Sequence, residues 1–314
     1  MAEAAAVVRR LGAGVLRLGP VARAARSIGA ARGRALVLVY HRVTPEGPGP
    51  AAIVPCVREA MFRRQVEALA ELGDVVPLGE LLRRPAGRRR IRFALTFDDD
   101  YDSHAAHVLP VLRALGVRGT FFLSGRSLHG LGPYWFEALE RLLQGHPLDQ
   151  VARMLGVAAA TPEQLALACE RDPRRQRRLE QTADGSAAHL AADQIAALAA
   201  SSTVGFHTLN HRVLTALPDE ALERELAEGA ETLAAVAGQP LRLFAYPHGK
   251  GDARVAARVR AAGYDAAWTG VPNATRAGAD PFLLGRWEPG DLSVVELVTR
   301  VAVRLNRTLP AASS

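Results

Sequence analysis

The chain has 314 residues, 49% apolar and 23% charged, a balance that supplies a large core and excludes intrinsic disorder. Its net charge of +7 rests on arginine, with Lys250 the only lysine. The runs Arg88-Arg89-Arg90 and Arg174-Arg175-Gln176-Arg177-Arg178 carry no interleaved aromatic residues, so no nucleic-acid partner is expected. Cys56 and Cys169 stand far apart without metal-type spacing and imply no disulfide framework.

Residues 1–34 set Val7, Val8, Leu11, Val15 and Leu16 against Arg9, Arg10, Arg17, Arg23 and Arg26. They contain no uninterrupted apolar core of signal-peptide type, and no stretch of the chain reaches transmembrane length. The pattern fits a basic amphipathic extension lying on a membrane surface, and equally a loosely docked start segment. The expectation is a cytoplasmic protein, with peripheral membrane contact through this extension as the variant.

Ala35–Tyr40 reads as a buried strand, followed by a Pro/Gly-rich loop from Thr44 to Pro55. Phe62, Val66, Leu69 and Leu72 recur at helical spacing, and Gly73 stops that helix. A short extended piece at Val75–Leu78 precedes a short helix from Gly79 to Arg84. The strand Ile91–Phe97, a helix carrying Val108, Val111, Leu112 and Leu115, and the strand Gly119–Leu123 continue a βαβ rhythm. Residues 133–200 interrupt it with helical patterns punctuated by Pro147, Pro162 and Pro173, and read as a helical insertion. The rhythm resumes with the strand Thr203–His207, a helix from Asp219 to Ala237 and the strand Leu241–Ala245. A helix from Ala253 to Ala262, the strand Ala266–Thr269 and a last helix from Ser293 to Leu305 complete it. Residues 307–314 form a tail.

Two clusters on this scaffold carry chemistry. Asp98-Asp99-Asp100 ends one strand, where three adjacent carboxylates resist burial and repel one another. At the C-terminal mouth of a parallel sheet or barrel they suit a metal or acid–base site; alone, they also suit a solvated turn with a capping Asp. His207 and His211 follow a later strand of the same sheet and share a helical face or converge in a tight loop. One carboxylate with two imidazoles is the donor set of catalytic zinc, which keeps a further position open. A calcium loop through Asp98, Asp100 and Asp102 is rejected, because Ser103 stands at its glycine and Leu109 at its closing glutamate. No phosphate-binding glycine loop and no G-x-S-x-G elbow is present.

Thr96-Phe97-Asp98-Asp99, the H-T-x-x-H from His207 to His211, and Phe244-Ala245-Tyr246-Pro247-His248-Gly249 stand in that order at strand ends. Together they resemble the motifs of the polysaccharide deacetylase, or NodB-homology, family. The resemblance runs from about Leu36 to about Leu305. It implies a distorted (β/α) barrel over residues 35–306, with the helical insertion inside it and a divalent metal, most commonly zinc. It also implies hydrolysis of N-acetyl groups on amino sugars of a polysaccharide or glycoconjugate. Carried over by position, Asp98 is the general base and Asp99, His207 and His211 are the metal ligands. Tyr246, Pro247 and His248 form the oxyanion and substrate turn, the N–H falling at His248.

This chain departs from the family pattern twice. The third-motif arginine that pairs with the catalytic Asp in the family is Ala245 here, and the family's acid histidine near the C-terminus has no counterpart in Leu283-Leu284-Gly285-Arg286-Trp287-Glu288. Tyr40-His41-Arg42-Val43 matches a branch of the family and makes His41 the expected general acid, with His248 its rival. Arg286 is the candidate to pair with Asp98 or contact substrate. Asp100 is expected only to shape the turn, and His104 and His107 to lie on the surface or cap a helix. His129, His146 and His189 are given no role. Trp135 packs the insertion or stacks on a sugar. The alternative activities are deacylation or deformylation of a non-polysaccharide amide, and glycan binding without catalysis on the same fold.

Overall fold

The alternating apolar runs form one all-parallel sheet in the computed structural model, which describes residues 34–49, 51–83, 90–182, 188–274 and 278–306. Residues 1–33 of the expected 1–34 extension, the arginines at 88 and 89 and the expected tail at 307–314 lie outside these residues. The barrel elements, in chain order, begin with β1 (Ala35–Tyr40), followed by β2 (Arg42–Thr44) and β3 (Cys56–Arg58), which pair with each other. Next come α1 (Glu59–Leu72), β4 (Asp74–Val75), β5 (Arg92–Asp98), α2 (Leu109–Leu115) and β6 (Thr120–Leu123). The insertion supplies α3 (Trp135–Gly145), α4 (Leu148–Leu155), α5 (Pro162–Glu170) and α6 (Pro173–Thr182). Then follow α7 (Ala192–Ala199), β7 (Thr203–Phe206), α8 (Asp219–Ala227), α9 (Ala230–Ala237) and β8 (Leu243–Ala245). The last are α10 (Ala253–Ala261), β9 (Ala266–Trp268) and α11 (Val294–Asn306).

The strand order is β1-β5-β6-β7-β8-β9, with β4 pairing the start of β5. The free edges, β1 and β9, are joined by an irregular segment after Asp280. Thr269 N–H donates to the Leu284 carbonyl (2.7 Å), and the Val39 N–H to that of Trp287 (3.0 Å). Leu284 and Trp287 return bonds to Ala267 and Val37. This closure makes the sheet a distorted (β/α) barrel, as expected.

Strand period fixes which side chains reach the interior. Leu36, Leu38, Phe93, Leu95, Phe97 and Phe121 pack under the helices, while Ala35, Val37, Ala94, Phe122 and Leu284 fill the barrel. By the same alternation Thr96, Asp98 and Arg286 face inward. Fully burying a Phe or Leu contributes about 1.5–3 kcal/mol, so the Phe-rich outer layer fixes the register that aims the carboxylates. Gly205 serves the same end: a Cβ there would lie 2.5 Å from the Phe122 ring, so only glycine carries β7 past it toward His207.

Two segments differ from the sequence expectation. The helix expected from Asp219 to Ala237 is split into α8 and α9 at Gly229, whose φ of +81° no helix accommodates. The end of the expected insertion, α7, packs Ile195 and Leu198 into the barrel core, whereas α3–α6 build a core of their own around Leu139, Val151, Leu165 and Leu179. Helix α7 is therefore the crossover between β6 and β7, and α3–α6 form a separate layer over the barrel mouth. No helix among the described residues is long and apolar enough to cross a membrane.

Candidate active site

Asp98, the last residue of β5, is 3% exposed and is gripped by Arg286 from the closing segment. The guanidinium donates from Nη1 to Oδ1 (2.5 Å) and from Nη2 to Oδ2 (2.7 Å), a bidentate pair of the strong, orienting kind. Burial opposes ionisation of Asp98, but Arg286, with His207 beside it, outweighs burial and holds the carboxyl below the usual carboxylate range. The arginine missing at Ala245 is thus supplied from the irregular closing segment between β9 and α11.

Asp99 turns the other way. Its φ of +69° reverses the chain immediately after β5, so neighbouring carboxylates in sequence face different partners. Its Oδ1 lies 3.4 Å from His211 Nε2 and 3.8 Å from His207 Nε2, and has no hydrogen-bond partner. Burial, aided by repulsion from Asp98, Glu137 and Asp100, pushes its pKa up to about 7. His207 Nδ1 lies 2.9 Å from the Ala245 carbonyl oxygen, which can only accept. Nδ1 therefore carries the proton, and Nε2 presents its lone pair to the carboxylates. Burial lowers the pKa of His207 to about 4 and that of His211 well below the ordinary imidazole value, so both stay neutral.

One ligand atom from each of Asp99, His207 and His211 lies within 4.8 Å of the other two. A buried, unpartnered carboxylate oxygen beside two neutral imidazoles fits a divalent cation both in charge and in donor type. The histidine pair achieves this from a loop, not a helical face. Thr208 and His211 both adopt left-handed backbone (φ +60° and +50°), and His248 does so across the site (φ +56°). With Asp99, these are all the positive-φ residues other than glycine among the described residues. Such strain, of order 1–3 kcal/mol each, persists where the surroundings over-determine a functional geometry.

His41 follows β1 and bonds through Nδ1 to Glu288 Oε1 (2.8 Å). Burial opposes its charging, but Glu288, with Asp99 and Asp98, overrides burial and raises its pKa to about 9. His248 is held differently: Nδ1 lies 3.1 Å from Glu170 and Nε2 3.2 Å from the His211 carbonyl, so both ring nitrogens are engaged. His41, His207, His211, His248, Asp98, Asp99, Arg286 and Glu288 all line one cavity of about 530 Å³.

Not every expected residue reaches it. Tyr246 is fully buried among the core aromatics and donates its hydroxyl to the Phe282 carbonyl; neither it nor Pro247 lines the cavity. Their contribution is to the backbone of the turn. Asp100 accepts the Ser124, Gly125 and Arg126 N–H groups (2.8, 3.2 and 2.9 Å), locking the loop after β6. His104, expected at the surface, is wholly buried beneath Phe97 and Phe121 and bonds to the Asp98 carbonyl (3.0 Å). His107 does sit outside, on Glu59 (2.8 Å). His189, given no role, bonds to the buried Glu137 (2.9 Å), which also faces Arg42. Glu288 is the residue that sequence reasoning passed over; its position depends on barrel closure, which leaves no local signal.

A family model described as polysaccharide deacetylase matches residues 86–267. No curated protein matches the chain. Among solved structures, the Streptococcus pyogenes deacetylase PplD in complex with acetate superposes with a TM-score of 0.59 at 16% identity, over 86% of this chain and 98% of its own. IcaB from Ammonifex degensii gives 0.56 at 21%, over 87% and 97%. The BpsB deacetylase domain from Bordetella bronchiseptica gives 0.53 at 14%, over 83% and 97%. At these identities the likeness is one of fold.

Proposed function

The chain belongs to the polysaccharide deacetylase family, hydrolases of amide bonds, and from that premise we propose that it removes N-acetyl groups from amino sugars with zinc held by Asp99, His207 and His211. The observation that carries this reading is the division of labour between two adjacent carboxylates. Asp98 is committed to Arg286, while Asp99 faces two neutral imidazoles with an unpartnered oxygen.

When bound, the cation supplies a Lewis acid that polarises the amide carbonyl and acidifies the attacking water. Asp98, kept ionised and fixed in orientation by Arg286, takes the proton from that water. The His248 N–H, presented by the left-handed turn, donates to the developing oxyanion. His41 has Nδ1 committed to Glu288, so Nε2 carries the proton to the departing sugar amine. Glu288 keeps that proton in place at neutral pH. The products are acetate and a free amino sugar, and no covalent bond to the protein forms.

The test is acetate release from N-acetylated oligosaccharides by the zinc-loaded protein, measured beside formate release from N-formyl analogues. Acetate from the first substrates supports the reading. Formate alone would overturn the acyl assignment.

A further inference from the structure

One wall of the cavity does not match the chemistry of its floor. The floor is charged, whereas Ile53, Val54, Trp135, Phe136, Ala166 and Leu167 line the side toward the insertion. This wall adjoins the reactive centre: the Phe136 ring meets His211 edge-on at 5.3 Å between centroids, and Trp135 lies parallel to His248 at 6.4 Å. Leu167 on α5 is 46% exposed, one of few large apolar side chains left open to solvent among the described residues. Exposed apolar surface next to a catalytic centre marks the seat of an apolar ligand group.

The position of α5 is fixed by the site itself. Glu170, at its C-terminal end, lies 3.1 Å from His248 Nδ1 and 2.7 Å from Lys250 Nζ, tying the insertion to the third-motif turn. The wall is therefore built into the site. The cavity also carries Glu163, Glu170 and Glu288 in addition to Asp98 and Asp99. Its Arg286 is committed to Asp98, and nearby Lys250 to Glu170. His41, a further cation of the cavity, is committed to Glu288, so a phosphate next to the sugar meets no uncommitted cationic side chain there and the linkage to the apolar group is neutral.

Resting on the deacetylase reading, we propose that the substrate is an N-acetylated amino sugar joined through a neutral glycosidic link to a hydrocarbon group, which lies along Trp135, Phe136 and Leu167. The insertion is then the specificity element, selecting an amphipathic glycoside over an extended polysaccharide.

The test compares methyl and hexyl β-glycosides of N-acetylglucosamine, used below micellar concentration, with an N-acetylglucosamine oligomer. Each buried methylene is worth about fourfold, so even partial burial predicts at least a ~10-fold higher kcat/KM for the hexyl glycoside, expressed mainly in KM. Calorimetry on zinc-loaded Asp98→Asn protein is expected to give the same preference in Kd. Leu167→Asp, or the milder Leu167→Gln, is expected to bring the hexyl-to-methyl ratio to within about twofold. Equal binding of the two glycosides, or kcat/KM rising with oligomer length beyond the hexyl glycoside, overturns the proposal. Tight hexyl binding without acetate release from any substrate supports the apolar site and instead sinks the deacetylase reading.

Discussion

Arg286 reaches Asp98 across the barrel from a segment that belongs to no regular strand, yet it makes the tightest bidentate contact in the site. The segment is held by Leu284 bonding to β9 and Trp287 bonding to β1. Closing the barrel and orienting Asp98, the proposed base, are therefore one structural event.

Removing that arginine leaves a buried carboxylate uncompensated. Arg286→Ala is expected to lower stability by about 3–5 kcal/mol and kcat by about 10²-fold or more. Without the guanidinium, burial raises the Asp98 pKa, so the acid limb of the pH–rate profile moves upward. Arg286→Lys keeps a charge but not the fork, and is expected to restore stability more than rate. Denaturant titration alongside pH–rate profiles checks both parts; an unmoved acid limb in Arg286→Ala would contradict the pairing's role.

Glu288 sets the other limb. His41 must hold a proton to serve as an acid, and it does so below a pKa of about 9 because Glu288 faces Nδ1. Glu288→Gln keeps a hydrogen-bond acceptor and removes the charge. The basic limb of kcat/KM is expected to fall by at least ~1 pH unit, toward the ordinary imidazole value of about 6.5. His41→Ala is expected to abolish this limb while retaining metal. A basic limb indifferent to both substitutions would leave His248 as the acid.

The buried His104 predicts acid sensitivity of the fold. Burial lowers its pKa to about 4, against about 6.5 in the unfolded chain. A depressed value means that the neutral form stabilises the fold above the unfolded pKa. That stability is lost as pH falls from about 6.5 through 4, by an amount on the order of 3 kcal/mol. His104→Gln lowers absolute stability, but its stability-versus-pH slope near pH 5.5 is expected to be shallower by about one proton. Urea titrations at several pH values measure the slope directly.

The strands, the barrel class and the Asp98, Asp99, His207 and His211 cluster were legible because each follows a strong local pattern at a strand end. What the sequence concealed depends on closure or on phase. Glu288 gains meaning only once residues 284–287 bridge β1 and β9. His104 lies in a π-helical turn, His104–Val108, which shifts the helical phase and rotates it inward under Phe97. The α8–α9 break carried a signal, Gly229 inside an otherwise helical run, that apolar periodicity outweighed. The inward period of Leu284 and Arg286 was the clue to the arginine's placement, but the run is too short to read as a strand by itself.

One paired measurement tests whether the adjacent Asp98 and Asp99 do different work. Zinc content and acetate release are determined together for Asp98→Asn and Asp99→Ala. Asp98→Asn is expected to retain about one zinc per chain and lose at least ~10³-fold in kcat, whereas Asp99→Ala is expected to lose the metal itself. Full turnover in Asp98→Asn, or normal zinc content in Asp99→Ala, would contradict the account.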